Sequence, residues 1–251
     1  MAVPPGLDHD WAVRTGGQLT GAQGRAMVGL LLRTVAAYPG LRLRLATGRR
    51  GQGGVDLDTL RIPDSRLAKD AEAEAREVLS PHVREHSYRT FLFGMALAAL
   101  DGAEVDVEVA YVASLLHDLN LEHPTPDRCF AVVGAERAER FALDRDVDPA
   151  RARRIAAEIS GHITLGAADD LASPGGFVSA GALLDVAGPR MDDLRPDYVE
   201  AVLRRHPRLG FKRHLVACWT AEGRAVPRGR ARWMTRYASF PMLVRLAPFA
   251  E

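Results

Sequence analysis

Lysine is almost missing from this chain. Of its 33 basic residues only Lys69 and Lys212 are lysines, and the rest are arginines. The skew goes with abundant alanine and glycine, as a GC-rich genome would give, and is not read as a phosphate-binding device. Cysteine is as scarce: Cys129 and Cys218 stand far apart, fit no zinc or redox spacing, and read as free thiols of a reducing cytoplasm. Apolar runs are too short to cross a bilayer. No basic segment leads into an apolar core near Met1, so no signal peptide is expected. Charge of one sign is lacking too, with a net charge of +1, so nothing favours nucleic acid or a membrane surface as partner. The expected partner is a small-molecule substrate, with a homo-oligomer left open.

What is present is helical punctuation. At 251 residues the chain can bury a core without staples. Residues 1–18 are broken by proline and glycine and read as loose. Thr20 caps a helix that Tyr38-Pro39-Gly40 ends, with Met27, Leu30, Leu31, Thr34 and Val35 on one face. Leu41, Leu43 and Leu45 then alternate with Arg42 and Arg44. Val55-Asp56-Leu57-Asp58 alternates again, so a small hairpin is expected within residues 41–60. Arg49-Arg50 in the intervening glycine-rich loop can hold an anion, though a solvated tip is the commoner use of such a pair. From Ile62 on, helix follows helix. Ser65, Ser80-Pro81, Asp106, Asp127, Asp148-Pro149 and Ser173-Pro174 carry start signals. Asp101-Gly102 and Gly188 carry stops. Three more helical stretches cover 196–205, 208–222 and 230–244. The expected fold is all-α: a helical bundle over residues 62–251 behind an N-terminal extension, 1–61, of one helix and a short hairpin.

His117-Asp118 closes the apolar run from Val109 to Leu116. Adjacent helical residues point about 100° apart, so the two reach one ion only at a helix end, and Asn120 is the expected stop. His86 precedes the apolar Phe91-Leu92-Phe93. A lone histidine on such a helix is usually a core residue with a backbone partner, and the same holds for His117. Asp185 is harder to place as mere core. It lies among small and apolar residues near a helix C-terminus, where a buried carboxylate needs a compensating positive group or a metal. Together His86, His117, Asp118 and Asp185 offer two imidazoles and two carboxylates, a set suited to a divalent transition metal with positions open for water.

The order His, then His-Asp, then Asp, each on its own helix, resembles the HD-domain metal-dependent hydrolases. The flanks are similar to the cyanamide hydratase branch: Ile62-Pro63-Asp64-Ser65, His86-Ser87-Tyr88-Arg89-Thr90-Phe91-Leu92-Phe93-Gly94, Leu115-Leu116-His117-Asp118-Leu119, Val133-Gly134-Ala135-Glu136-Arg137-Ala138 and Leu183-Leu184-Asp185-Val186. The likeness covers residues 62–190, holds loosely for the C-terminal helices, and leaves residues 1–60 outside. It implies an HD fold, with His86, His117, Asp118 and Asp185 as metal ligands. His162 falls where some HD proteins carry a further histidine. Binuclear members add two histidines, and the expected helix 127–143 has none, which implies one divalent metal: zinc first, iron or manganese next. His123 is a substitute in principle, and its loop position suggests exposure.

The resemblance implies an enzyme adding metal-activated water to a small nitrile-type substrate, cyanamide to urea. Asp118 would then serve the chemistry as well as the metal. His162 would relay a proton or orient substrate, with a supporting or capping histidine as the equal alternative. His82, one turn before His86, shares its face or lies at the surface. The runner-up is a metal-dependent phosphohydrolase acting on a nucleotide or small phosphate ester, with Arg89 as its cationic clamp. The bland alternative for Arg89 is a carboxylate partner. A two-iron oxygenase and a non-catalytic metal-stabilised scaffold complete the set.

Overall fold

The computed structural model describes residues 4, 6–48 and 50–251. Residues 1–3 and 5, within the segment read as loose, and Arg49, half of the anion-holding pair, lie outside the described residues. The described chain is helical throughout: α1 His9–Thr15, α2 Gly21–Ala26, α3 Val28–Ala46, α4 Arg66–Val78, α5 Pro81–Asp101, α6 Val107–Leu116, α7 Phe130–Leu143, α8 Pro149–Gly161, α9 Gly176–Ala187, α10 Pro196–Arg205, α11 Phe211–Ala225, α12 Arg230–Ala238 and α13 Phe240–Arg245. The all-α expectation holds. No strand occurs among the described residues, only isolated bridges such as Gly53 with Leu194. No described helix is long and apolar enough to cross a membrane.

The caps read from sequence start α4, α5, α6 and α8. Ser65, Asp106 and Asp148 accept bonds from backbone amides of the first turn, and Pro81 and Pro149 occupy first helical positions. Asp127 does not cap α7. Its φ is 59° and its amide donates to the Ala225 carbonyl, so the helix begins after Cys129.

The expected hairpin is absent and the stop at Pro39 is overridden. α3 runs through Tyr38-Pro39-Gly40 to Ala46. Contacts on both sides of the proline hold it: the Tyr38 hydroxyl and Arg42 donate to the Leu246 carbonyl, and Arg44 pairs with Asp192. Leu41 is buried while Leu43 is exposed, which a strand with both on one face would not give. The following loop pairs with the turn before α10 instead of with itself. Gly51 and Gly53 donate to the carbonyls of Asp192 and Asp193. A side chain at Gly51 would put its Cβ 1.9 Å from the Asp193 oxygen. The N-terminus is also less loose than expected, because Asp8 caps α1 and Trp11 is buried.

Two apolar clusters organise the bundle. The larger joins α4 to α9 around Phe91, Phe93, Leu115, Leu116 and Ile155. The smaller gathers Trp11, Met27, Phe130, Phe211, Trp219 and Phe240, bringing N-terminal residues together with α11 to α13. α5 and α9 cross most closely. Gly94 faces the Phe177 ring and Gly181 faces the Thr90 carbonyl, at distances no Cβ could occupy. That crossing sets the elements carrying His86 and Asp185 side by side.

Candidate metal centre

α6 ends at Leu116 with His117 in the cap position, earlier than Asn120. The chain turns there, and the adjacent His117 and Asp118 reach one point: His117 Nε2 lies 3.3 Å from Asp118 Oδ2. His86 arrives from α5, its Nε2 3.3 Å from His117 Nε2 and 3.8 Å from Asp118 Oδ2. His86, His117 and Asp118 form a buried group whose ligand atoms all lie within 4.8 Å of one another. His162 closes α8 and puts Nε2 3.9 Å from Asp118 Oδ1.

Hydrogen bonds at the far side of each ring decide what these nitrogens offer. His117 Nδ1 lies 2.7 Å from the Ser114 carbonyl and His162 Nδ1 lies 2.6 Å from the Ile159 carbonyl. His86 Nδ1 lies 2.7 Å from Asp185 Oδ2. Carbonyls and ionised carboxylates only accept, so each Nδ1 carries a proton, and when its ring is neutral each Nε2 presents a lone pair. With both rings neutral, the lone pairs of His86 and His117 face each other beside a carboxylate. The arrangement calls for positive charge at that point, and the donor set fits a divalent transition metal.

The electrostatics draw positive charge to the same point, onto His117. Burial works against charge on His117, but neighbouring Asp118 and the Ser114 carbonyl carry its imidazole above the ordinary value. Burial likewise opposes an ionised Asp118, yet His117, His86 and His162 hold it down at about 2. Burial keeps His86 neutral despite its bond to Asp185. Burial and then the charge near His117 push His162 down to about 3.

Asp185 does not join the ligand atoms. The structure places its carboxylate behind His86, where Arg89 donates Nε to Oδ1 at 2.8 Å and Nη2 to Oδ2 at 2.9 Å, and Arg208 Nη1 donates to Oδ1 at 2.6 Å. Burial alone would raise this carboxyl, but the two guanidiniums and the His86 bond hold it far below its usual range. The compensating positive group expected from sequence is therefore present, as two arginines. Its consequence corrects the ligand set: Asp185 orients His86. Arg89 is corrected with it. It is fully buried, its remaining nitrogen donates to the carbonyls of His206 and Pro207, and it presents nothing to a substrate.

Arg208 and Phe211 were not found from sequence. Phe211 stacks on the His86 ring with centroids 4.5 Å apart, and the Arg89 and Arg208 guanidiniums lie 5.3 and 5.5 Å from its ring centroid. One arginine in an arginine-rich chain gives no signal, and Phe211 reads as core. His123 is exposed as expected. His82 is half-buried and stacks on His214.

A cavity of about 110 Å³ opens beside His86, His117, Asp118 and His162. Its walls are mostly apolar: Leu121 and Phe130, Ile163 and Leu165, Leu183 and Val186, and Leu215, Trp219, Met234 and Phe240 from the C-terminal helices. Thr34 reaches it from α3. No arginine or lysine is among its described lining residues.

Residues 83–202 match the family model of the HD domain. No curated protein matches the chain.

Proposed function

From the match of residues 83–202 to the HD domain model, we propose that the chain is a metal-dependent enzyme that adds water to a small uncharged electrophile of nitrile type, like a cyanamide hydratase making urea. The cavity carries this reading. At about 110 Å³ it is well below the roughly 300–1,000 Å³ of pockets that bury larger ligands. A phosphate group needs cationic donors aimed at it. The arginine nearest the motif, Arg89, is already spent on Asp185.

His86, His117 and Asp118 hold the metal, zinc before iron or manganese. A divalent cation there supplies Lewis acidity and brings the pKa of a water to about 7. Asp185 fixes His86 as the Nδ1-protonated tautomer, so that Nε2 stays a donor of its lone pair. His162 stays neutral, and its Nε2 accepts a hydrogen bond from water or from an N–H of the substrate. The apolar walls exclude bulk water. In the net reaction the water oxygen bonds to the nitrile carbon, protons end on nitrogen, and tautomerisation gives the amide, which for cyanamide is urea.

The test is urea formation from cyanamide by zinc-loaded protein, run beside phosphate release from a panel of nucleotides. Urea from the wild type and none from Asp118→Ala supports the reading. Phosphate release with cyanamide untouched overturns it.

A further inference from the structure

A second group of donors lies outside the centre just described and shares no residue with it. Glu122 follows the His117-Asp118 turn, and His214 and Cys218 lie one turn apart on α11. Glu122 Oε1 is 2.7 Å from His214 Nε2, and Cys218 Sγ is 3.5 Å from the same nitrogen. The Ser80 hydroxyl also stands 3.5 Å from it. A ring nitrogen has one hydrogen or one lone pair, so it cannot satisfy three neighbours. A thiol–imidazole–carboxylate relay is excluded by the same geometry, because Glu122 occupies the nitrogen that would activate the sulfur and not the far one.

We propose that Glu122, His214 and Cys218 form a second metal site, for a borderline-soft divalent cation of the zinc class. Nitrogen, sulfur and carboxylate oxygen are the donors such an ion takes. With Zn–N near 2.0 Å and Zn–S near 2.3 Å, a tetrahedral N···S edge is about 3.5 Å, the separation seen. The N···O edge would be about 3.3 Å, so Glu122 has to back away by roughly half an ångström. Its other oxygen is already oriented by the Ser80 amide at 2.9 Å, the outer support that metal-binding carboxylates have. His82 packs against the site. It stacks on His214 with centroids 4.5 Å apart, and its Nδ1 is enclosed without a hydrogen-bond partner. All three donors are half-buried, so an ion has access from solvent.

The role follows from position. Glu122 belongs to the segment matched by the HD domain, while His214 and Cys218 lie beyond it. Leu215 and Trp219 of the same helix wall the cavity. A cation here fastens α11 to the turn carrying His117 and Asp118 and fixes that wall.

The experiment uses the full chain with cobalt and zinc chlorides as probes. The first centre contains no sulfur, so a thiolate-to-cobalt charge-transfer band reports the second site alone. The band is expected in the wild type, expected to persist in His117→Ala, and expected to vanish in Cys218→Ser with loss of one of two bound equivalents. Zinc should also slow alkylation of Cys218 in the wild type, a readout that needs no variant. A wild type without the band, whose Cys218 is alkylated equally fast with and without zinc, overturns the site. A band that survives Cys218→Ser does the same. None of these outcomes bears on whether cyanamide is hydrated.

Discussion

Asp185 and Arg89 are joined by two parallel hydrogen bonds, Nε to Oδ1 at 2.8 Å and Nη2 to Oδ2 at 2.9 Å, with both side chains closed to solvent. Arg208 Nη1 shares the same carboxylate while its Nε reaches Glu251 at 3.0 Å, so Arg89 and half of Arg208 are balanced by Asp185. Asp185→Asn leaves them underpaired, and removing one partner of a buried pair costs about 3–5 kcal/mol. A denaturant titration should show that loss. Metal binding should weaken by about 10–100-fold, the usual effect of losing a group that orients a ligand, and not disappear. Complete loss of metal from a variant still folded would return Asp185 to the ligand set.

Close packing at the α5–α9 crossing is the second point of test. A Cβ on Gly181 would fall 2.0 Å from the Thr90 carbonyl oxygen, and backbone cannot step aside as a side chain can. Gly181→Ala should destabilise the chain by at least the ~1–3 kcal/mol typical of overpacking. It should also reduce metal affinity, since the helices carrying His86 and Asp185 are forced apart. A thermal melt and a metal titration check the two effects separately.

The residues of the metal centre were legible in the sequence because their chemistry clashed with their surroundings. A histidine-aspartate pair at the end of Val109–Leu116 and an aspartate among alanines and glycines are improbable as core. What the sequence did not disclose was direction. Asp185 and His86 do meet, but as carboxylate and far ring nitrogen, an arrangement that depends on Arg208, a distant residue with no motif. The same limit applies to α3. Pro39 and alternating leucines are local signals for a stop and a strand, and they lost to contacts with Leu246 and Asp192, more than a hundred residues away. The pair His214 and Cys218 carried a usable sign, the i, i+4 spacing that puts two donors on one helix face. Their third partner, Glu122, is placed only by the fold.

Glu222 gives the chain a pH dependence with a definite sign. Burial pushes its carboxyl up to about 7, against the Phe130 amide it accepts from and the charge of Arg230. A carboxyl raised in the folded state adds stability below its ordinary value and loses it as pH climbs through the raised one. The swing is worth up to about 3 kcal/mol. Glu222→Gln keeps an acceptor for Phe130 and cannot ionise. Relative to the wild type it should gain stability as pH rises from about 4.5 to about 7 and level off above that. Urea melts at several pH values read the difference, and parallel curves for the two proteins would contradict the shift.

The last prediction separates the two imidazoles that flank Asp118. His117 Nε2 lies 3.3 Å from His86 Nε2, so His117→Ala should remove the metal of this centre and turnover together. His162 stands farther off, 3.9 Å from Asp118 Oδ1, and lines the cavity. His86, His117 and Asp118 are intact in His162→Ala, so metal bound at this centre should stay stoichiometric. Turnover of cyanamide should nevertheless fall by about 10²-fold or more, the usual contribution of a group placed to accept or pass a proton. The loss should appear in kcat more than in KM if His162 acts as bonds are made, and in KM if it only seats the substrate. Because burial holds its imidazole down at about 3, the activity lost with His162 should be the same across neutral pH, with no inflection near the ordinary histidine value. A variant that drops the metal would make His162 a ligand. A variant with unchanged turnover would reduce it to packing around Phe130.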